Sequence, residues 1–445
     1  MKNINTNYRE LNSEADFQGA ANAADLEKSR KVSCIALIVF SGFILATLFN
    51  MFAPILLNKG YPYNTFLFTP ADRYMDFVNI WGFFDSKLSA MLHARGLHFT
   101  YNPFAGSIAY LFALLPVRIS LFVFNLLFSV YFIMYNKSFL FVSKDKVNSI
   151  INIGVLSFLS YPFLFAFDRG QFEVYVYIFL SLFMWFYINK KDIPAVIFLA
   201  AAIAMKIHPA VFIVLFLKDR KYKEAIMTLG GVLVLSVLSL LLLKDSNITL
   251  GEITQGLAFY SKAYVEGSAN SPNVACGLGF GHSLFGIIRL LGQSLAPSWY
   301  FPNIRLIMQM YMLFALGFFS LIAAYIIFIE KTVWRQAALL VFSFNLLPYV
   351  SGDHKMLYLY IPLLLFANSN EETPFNKWYI ILFGLLLIPK AYYFFGGLIS
   401  DSGNPDISIS IVISPLLLLI FCILIVYEGF KINELPWKTA SDISA

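Results

Sequence analysis

Charge is what this chain has least of. Only 13% of its 445 residues are Asp, Glu, Lys or Arg, against ~25% in a soluble globular chain. That scarcity excludes an ordinary soluble enzyme, and an aromatic content of 18% excludes disorder. Cysteine is scarcer still. Cys34 and Cys422 lie in apolar runs and Cys276 stands alone in a polar stretch, which provides neither a disulfide framework nor zinc-type Cys spacing. No basic patch offers a nucleic-acid partner a footing. The chain also lacks a Walker P-loop, Gly-x-Gly-x-x-Gly, Gly-x-Ser-x-Gly, His-Glu-x-x-His and Asp-x-Asp, so nucleotide-driven or metal-dependent cytoplasmic chemistry has little to stand on. No internal repeat or low-complexity tract is present.

What remains is apolar. Hydrophobic residues make up 59% of the chain, enough for about twelve helices at ~20 residues per span. The expected architecture is an all-α polytopic membrane protein. Apolar runs fall at roughly 32–57, 117–136, 149–167, 172–189, 193–217, 224–244, 304–329, 336–350, 356–367, 378–398 and 408–428. The first follows about thirty polar residues, too late and too long for a cleavable signal. This division gives a polar tail at 1–31, one transmembrane domain at 32–430 with outer loops at 58–116 and 245–303, and a tail at 431–445.

Basic residues fill alternate gaps: Arg30 and Lys31; Lys137, Lys144 and Lys146; Lys190 and Lys191; Lys218 to Lys223; Lys331 and Arg335; Lys377; Lys431 and Lys438. The positive-inside rule places these gaps, with both termini, in the cytoplasm of a multi-pass inner-membrane protein. The run 193–217 conflicts, because both of its ends carry cytoplasmic signals. Within it lies Lys206-Ile207-His208-Pro209, and proline breaks a helix. The expectation is a broken pair that enters, turns at these residues and returns, sheltered by protein or a wet cavity.

The remaining charges gather on the opposite, outer side. In the first loop, Asp72-Arg73-Tyr74-Met75-Asp76 opens an amphipathic helix expected from Tyr74 to Arg95 along the interface. Asp72 and Asp76 are four apart, and a carboxylate there suits a general base toward a hydroxyl. The alternatives are that Asp72 caps the helix and Asp76 pairs with Arg73. Asp168-Arg169-Gly170-Gln171-Phe172-Glu173 packs three charges and a glycine against apolar helices, and offers either a polar site or an Asp168–Arg169 turn holding two helices together. Lys206 suits a phosphate partner or a lysine reaching the interface, with His208 a packing residue beside it. Ser351-Gly352-Asp353-His354-Lys355 offers His354 and Lys355 to a phosphate or hydroxyl, or forms a polar turn. The loop 245–303 adds Lys262, Glu266, His282 and Arg289.

Three stretches give the chain a likeness. The first is Asp76-Phe77, then Phe99-Thr100-Tyr101-Asn102-Pro103-Phe104 and Leu115-Pro116. The second is Arg169-Gly170-Gln171, Lys190-Lys191, then Lys206-Ile207-His208-Pro209 and Lys218-Asp219-Arg220. The third is His354 ahead of Leu357-Tyr358-Leu359-Tyr360-Ile361-Pro362-Leu363. Together they resemble GT-C membrane glycosyltransferases, specifically the polyprenyl-phosphate-dependent, mannosyltransferase-like branch of glycosyltransferase family 87. Tyr101-Asn102-Pro103 departs from the usual Tyr-Pro-Pro, and Phe172-Glu173 stands where Asn often follows Gln.

The resemblance implies a GT-C-like fold and transfer of a sugar from a polyprenyl-phosphate donor to a hydroxyl of a lipid-linked or surface glycan, on the extracytoplasmic face. It implies Asp76 as base. A departing phosphate needs charge stabilisation more than protonation, a role that fits Lys206 and His354 with Arg169. Asp72, Arg73, Asp168, Gln171, His208, Lys355, His282 and Arg289 are supporting candidates. One direct displacement inverts the anomeric centre and calls for no metal or other cofactor. The rival readings are a transporter or flippase of lipid-linked sugars, and a polysaccharide polymerase or ligase using a lipid diphosphate.

Overall fold

The computed structural model describes residues 4–94, 96–244, 246, 248–260, 281–369, 371, 373–396 and 406–432. Of the structure, 77% is helical. The one sheet among the described residues is a hairpin of Phe394–Gly396 with Asp406–Ser408, with Phe394 opposite Ser408.

Five helices are long and apolar enough to cross a bilayer: Asp25–Leu57, Val117–Leu140, Tyr222–Leu242, Ile304–Phe328 and Ser410–Lys431. A sixth span is a pair, Lys146–Phe158 and Tyr161–Arg169, bent by 46°. Its break has a local cause, since Pro162 opens the second half and cannot continue the ladder of the first. Against the expectation of about twelve, five or six spans among the described residues meet this length and composition. Other apolar runs fold as shorter helices, including Glu173–Ile188, Asp192–Met205 and Asn376–Leu387. Val333–Leu346 shows the reason: all but its first residue are buried, so it is a core helix whose length the bilayer does not set.

The broken pair forms where the proline placed it. Asp192–Met205 ends at Lys206, whose backbone is extended at φ −148° and ψ 142°. The chain resumes as the 3-10 turn His208–Phe212 and the helix Ile213–Lys218. The two ends of this excursion lie side by side. Lys221 Nζ is 2.6 Å from Asp192 Oδ1, and the Tyr187 hydroxyl donates to Asp219 Oδ2 at 2.7 Å. Ile207, at the tip, is exposed.

Charge sorts the molecule into two ends. At one end, Ser29 donates to Asp145 Oδ2 at 2.9 Å, Lys31 to Ser369 O at 2.9 Å and Asn368 to Phe139 O at 3.1 Å. Asn189, Thr332 and Asn368 line one groove there. Arg335, buried, joins Glu371 at 3.1 Å and Glu428 at 3.2 Å. Most of the gaps expected to share a side thus meet in space, and the first and last described helices both reach this end.

The first outer loop departs from expectation. In place of one amphipathic helix from Tyr74 to Arg95 there are two, Met75–Gly82 and Ser86–Ala94. Asp85 causes the interruption, because its Oδ1 accepts the backbone N–H groups of Lys87 and Leu88 at 3.1 and 2.9 Å and so caps the second helix. The loop also contains an apolar helix, Pro103–Ala113, with Ala105, Gly106, Ser107 and Ala109 buried.

Glu428→Ala would leave Arg335, 2% exposed, without one of its buried carboxylates. Breaking such a pair costs about 3–5 kcal/mol, so the variant should unfold at a clearly lower temperature in detergent; an unchanged Tm would refute the pairing.

Candidate active site

The site grows from a turn that only glycine makes easily. Tyr161–Arg169 ends with Gly170 in the left-handed region, φ 62° and ψ 41°. A Cβ there would also meet Phe77 Cβ at 2.8 Å, so the turn presses directly on the helix Met75–Gly82. Tyr74, at the entrance to that helix, is left-handed too, and its N–H donates to Asp168 O at 2.8 Å.

Two crossed ion pairs fasten these segments. Arg73 Nε reaches Asp168 Oδ1 at 3.0 Å. Arg169 grips both oxygens of Asp76, with Nε donating to Oδ2 at 3.0 Å and Nη2 to Oδ1. Its Nη1 donates to Asp72 O at 3.0 Å, and its guanidinium lies 4.1 Å from the centre of the Phe68 ring. The Gln171 amide completes the cradle by donating to Asp76 Oδ2. The three local alternatives are therefore replaced. Asp72 makes no side-chain cap, because Tyr74 holds the N-cap position of the helix Met75–Gly82. Asp76 pairs with Arg169 instead of Arg73, and Asp168 with Arg73 instead of its neighbour.

A second constellation stands beside the first. Glu173, fully buried, begins the helix Glu173–Ile188. Lys206 Nζ donates to its Oε1 at 2.7 Å, and the Tyr358 hydroxyl donates to Oε2. His208 Nε2 lies 3.5 Å from Oε2 and 3.2 Å from the Tyr358 hydroxyl. His354 Nε2 lies 3.7 Å from Oε1, and Lys355 adds its charge to the carboxylate's surroundings. The break in the helix explains how Lys206 arrives: its extended backbone frees the side chain from the helical stack.

Tyr101 connects the two groups. Its hydroxyl donates to Gln171 Oε1 at 3.4 Å, and Lys206 Nζ sits 4.9 Å from its ring centre. A continuous polar layer thus runs from Asp76 through Gln171 and Tyr101 to Lys206 and Glu173.

Of the candidates read from sequence, Asp76, Arg169, Gln171, Lys206, His208, His354 and Lys355 come together here, with Asp72, Arg73 and Asp168 bracing the first loop. His282 does not take part in these contacts. It is fully buried, bonded through Nδ1 to Asp353 Oδ1 at 3.1 Å and through Nε2 to Asn345 Oδ1 at 2.7 Å. Asp353 also accepts from the Tyr161 hydroxyl at 2.6 Å, which makes a structural knot. Arg289 is buried in Leu284–Leu295 near Tyr300 and enters none of the contacts above. Lys262 and Glu266 lie outside the described residues.

Tyr101 and Tyr358 carry no site signal in the sequence, and Glu173 stands there only as one of three charges in the run Asp168 to Glu173. A signal for Glu173 existed: Lys206, His208, His354 and Lys355 all need a counter-charge once brought below the surface, and an acid two residues after Gln171 is the one that supplies it.

A family model described as Glycosyltransferase family 87 matches residues 99–348, more than half of the chain. The protein belongs to glycosyltransferase family 87. No curated protein and no solved structure matches it. Membership of glycosyltransferase family 87 indicates a sugar-transferring enzyme, and the apolar helices make it a multi-pass membrane protein. The matched stretch holds Arg169, Gln171, Glu173, Lys206 and His208; Asp76 precedes it and His354 follows it.

Glu173→Ala should lower the stability of the protein, because it removes the carboxylate that Lys206 and Tyr358 both bond. Glu173→Gln, which keeps an acceptor for Lys206 and Tyr358, should cost less. Thermal unfolding of the two variants in one detergent tests this ordering.

Proposed function

We propose that this enzyme moves a hexose or pentose, mannose included, from a polyprenyl-phosphate donor to a hydroxyl of a lipid-linked or surface glycan. The reading rests on one observation above all: Asp76 and Lys206 face the same Tyr101–Gln171 pair. On this reading a proton acceptor and an anion partner flank the sugar, linked by that pair.

Asp76 is the base in this scheme. Arg169 and Gln171 occupy three of the roughly four acceptor positions of its carboxylate. One position is left for the acceptor hydroxyl, and the side chain is 20% exposed. As the hydroxyl oxygen bonds to the anomeric carbon, its proton passes to Asp76. The bond from that carbon to the phosphate oxygen breaks with its electron pair, and the centre inverts.

The leaving phosphate collects beside Lys206 and His354. Glu173 lies fully buried beneath them, whereas the Lys206 and His354 side chains are 23% and 19% exposed. With Lys206 and Lys355 against one carboxylate, the cluster retains an excess of basic groups, which suits an anion. Arg169 is the next cation in line. This division of labour asks nothing of a metal or other cofactor.

The end of the molecule rich in Lys and Arg is assigned to the cytoplasm by the positive-inside rule, with both termini there. That puts the Asp76–Lys206 end on the extracytoplasmic face of the inner membrane, where a polyprenyl tail reaches the helices and its phosphate reaches the basic cluster. The further apolar runs complete a GT-C-like bundle of about twelve helices, with the first-loop helices at the interface.

Asp76→Asn should lower transfer from a synthetic polyprenyl-phosphate sugar by about 10²–10⁴-fold, the usual worth of a positioned base, with the variant still folded. Near-wild-type turnover would remove Asp76 from the mechanism. Lys206→Ala should raise the KM for the donor far more than that for the acceptor; equal effects would rule out the phosphate role.

A further inference from the structure

Away from Asp76, the two outer loops meet at a cluster of different chemistry. His93 stands in the last turn of Ser86–Ala94, and His98 follows in the extended segment beyond it. Glu252 comes from the helix Leu250–Tyr260, more than 150 residues later. Its Oε1 lies 3.0 Å from His93 Nε2, 3.3 Å from His98 Nδ1 and 3.0 Å from the Phe99 N–H. The three side-chain ligand atoms all fall within 4.8 Å of one another. They form the one His/Cys/Asp/Glu group of this kind among the described residues.

Three nitrogens converge on one carboxylate oxygen, which has only about two lone-pair sites. Hydrogen bonding alone therefore oversubscribes it. A cation seated between the side chains removes the excess, since each imidazole then turns a lone pair toward the ion and Phe99 N–H keeps its bond to the carboxylate. Two of the three spacings suit this. Ligand bonds of 2.0–2.1 Å in tetrahedral geometry put ligand atoms roughly 3.3 Å apart, close to the 3.0 and 3.3 Å separations from Oε1. His93, His98 and Glu252 are 35%, 26% and 11% exposed, so an ion has an entry path and a water has room for the fourth position. Burial works against ionisation of Glu252, but the Phe99 N–H and the two histidines outweigh it and hold its carboxyl below the usual range.

We propose that His93, His98 and Glu252 bind a divalent cation of the zinc class, which staples the first outer loop to the helix Leu250–Tyr260. Two imidazoles and a carboxylate are the ligand types such an ion takes with one position open. Its ligands join two loops, and none of them enters the contacts of Asp76, Lys206 or Glu173 described above. It sits where the staple matters: Gly256 packs so closely that a Cβ would come 2.0 Å from Phe99 O, and Tyr101 of the polar layer follows two residues on.

The test uses the full-length, untagged protein in detergent, stripped with chelator and titrated with Co²⁺ by visible absorption and with Zn²⁺ in competition. The wild type should bind one equivalent and gain thermal stability with Zn²⁺. His93→Ala and Glu252→Gln should each weaken binding at least about 10-fold, since even outer-shell changes cost 10–100-fold. His98→Cys keeps a ligand, so it should retain the site and add a thiolate-to-cobalt charge-transfer band absent from the wild type. No saturable equivalent in the wild type would overturn the proposal. So would binding indifferent to both His93→Ala and Glu252→Gln, or a saturated His98→Cys without the new band.

Discussion

One buried carboxylate sets where much of this molecule must be. Glu173 is fully enclosed, and an isolated ion there would be costly to keep. Its compensation arrives from two other segments: Lys206 and His208 from the tip of the helical hairpin, and His354, Lys355 and Tyr358 from the turn Asp353–Leu359. Neither segment can drift without exposing the charge to apolar surroundings. The hairpin tip is therefore pinned by electrostatics, since its proline removes the backbone bonding that would otherwise hold it.

The same constraint spreads to the first loop through two residues of sequence. Gln171 and Glu173 flank Phe172, so the turn that places one places the other. Gln171 in turn holds Asp76, and Arg169, at the start of the turn, holds it from the other side. Gly170 makes the geometry attainable, because any side chain there would strike Phe77. Fold and candidate site thus share one support, and damage to the Glu173 cluster should be felt at Asp76 without touching it.

What the sequence disclosed, and what it hid, divides along the range of the interactions. The break at Pro209 is a local property of proline, and the sorting of lysines to one end follows from the cost of carrying charge through a bilayer; both were legible. Asp76, Arg169, Lys206 and His354 were legible as charges with no cheap place to go. Their partners were not. A reading confined to neighbours pairs Asp168 with Arg169 and Asp76 with Arg73, whereas the structure crosses these pairs over more than 90 positions. Likewise His93 and Glu252 are 159 apart, and nothing in either loop announces the other. The span count is hard to read for a related reason. Apolar runs such as that of Val333–Leu346 look alike whether lipid or protein surrounds them.

The division of the site has a chemical consequence. Asp76 lies before the stretch matched to glycosyltransferase family 87, yet the residues that grip it lie inside that stretch. Any carboxylate is a far weaker base than an alkoxide. Such a group does not strip a proton from a resting sugar hydroxyl, whose own acidity is slight. It accepts the proton only once the oxygen has begun to bond to the anomeric carbon and has become acidic. In the proposed reaction, departure of the phosphate must therefore run ahead of proton transfer, and the cations around Glu173 carry the larger share of the barrier. Arg169 then serves both halves, orienting the base through two hydrogen bonds and standing as the next cation beyond Lys206.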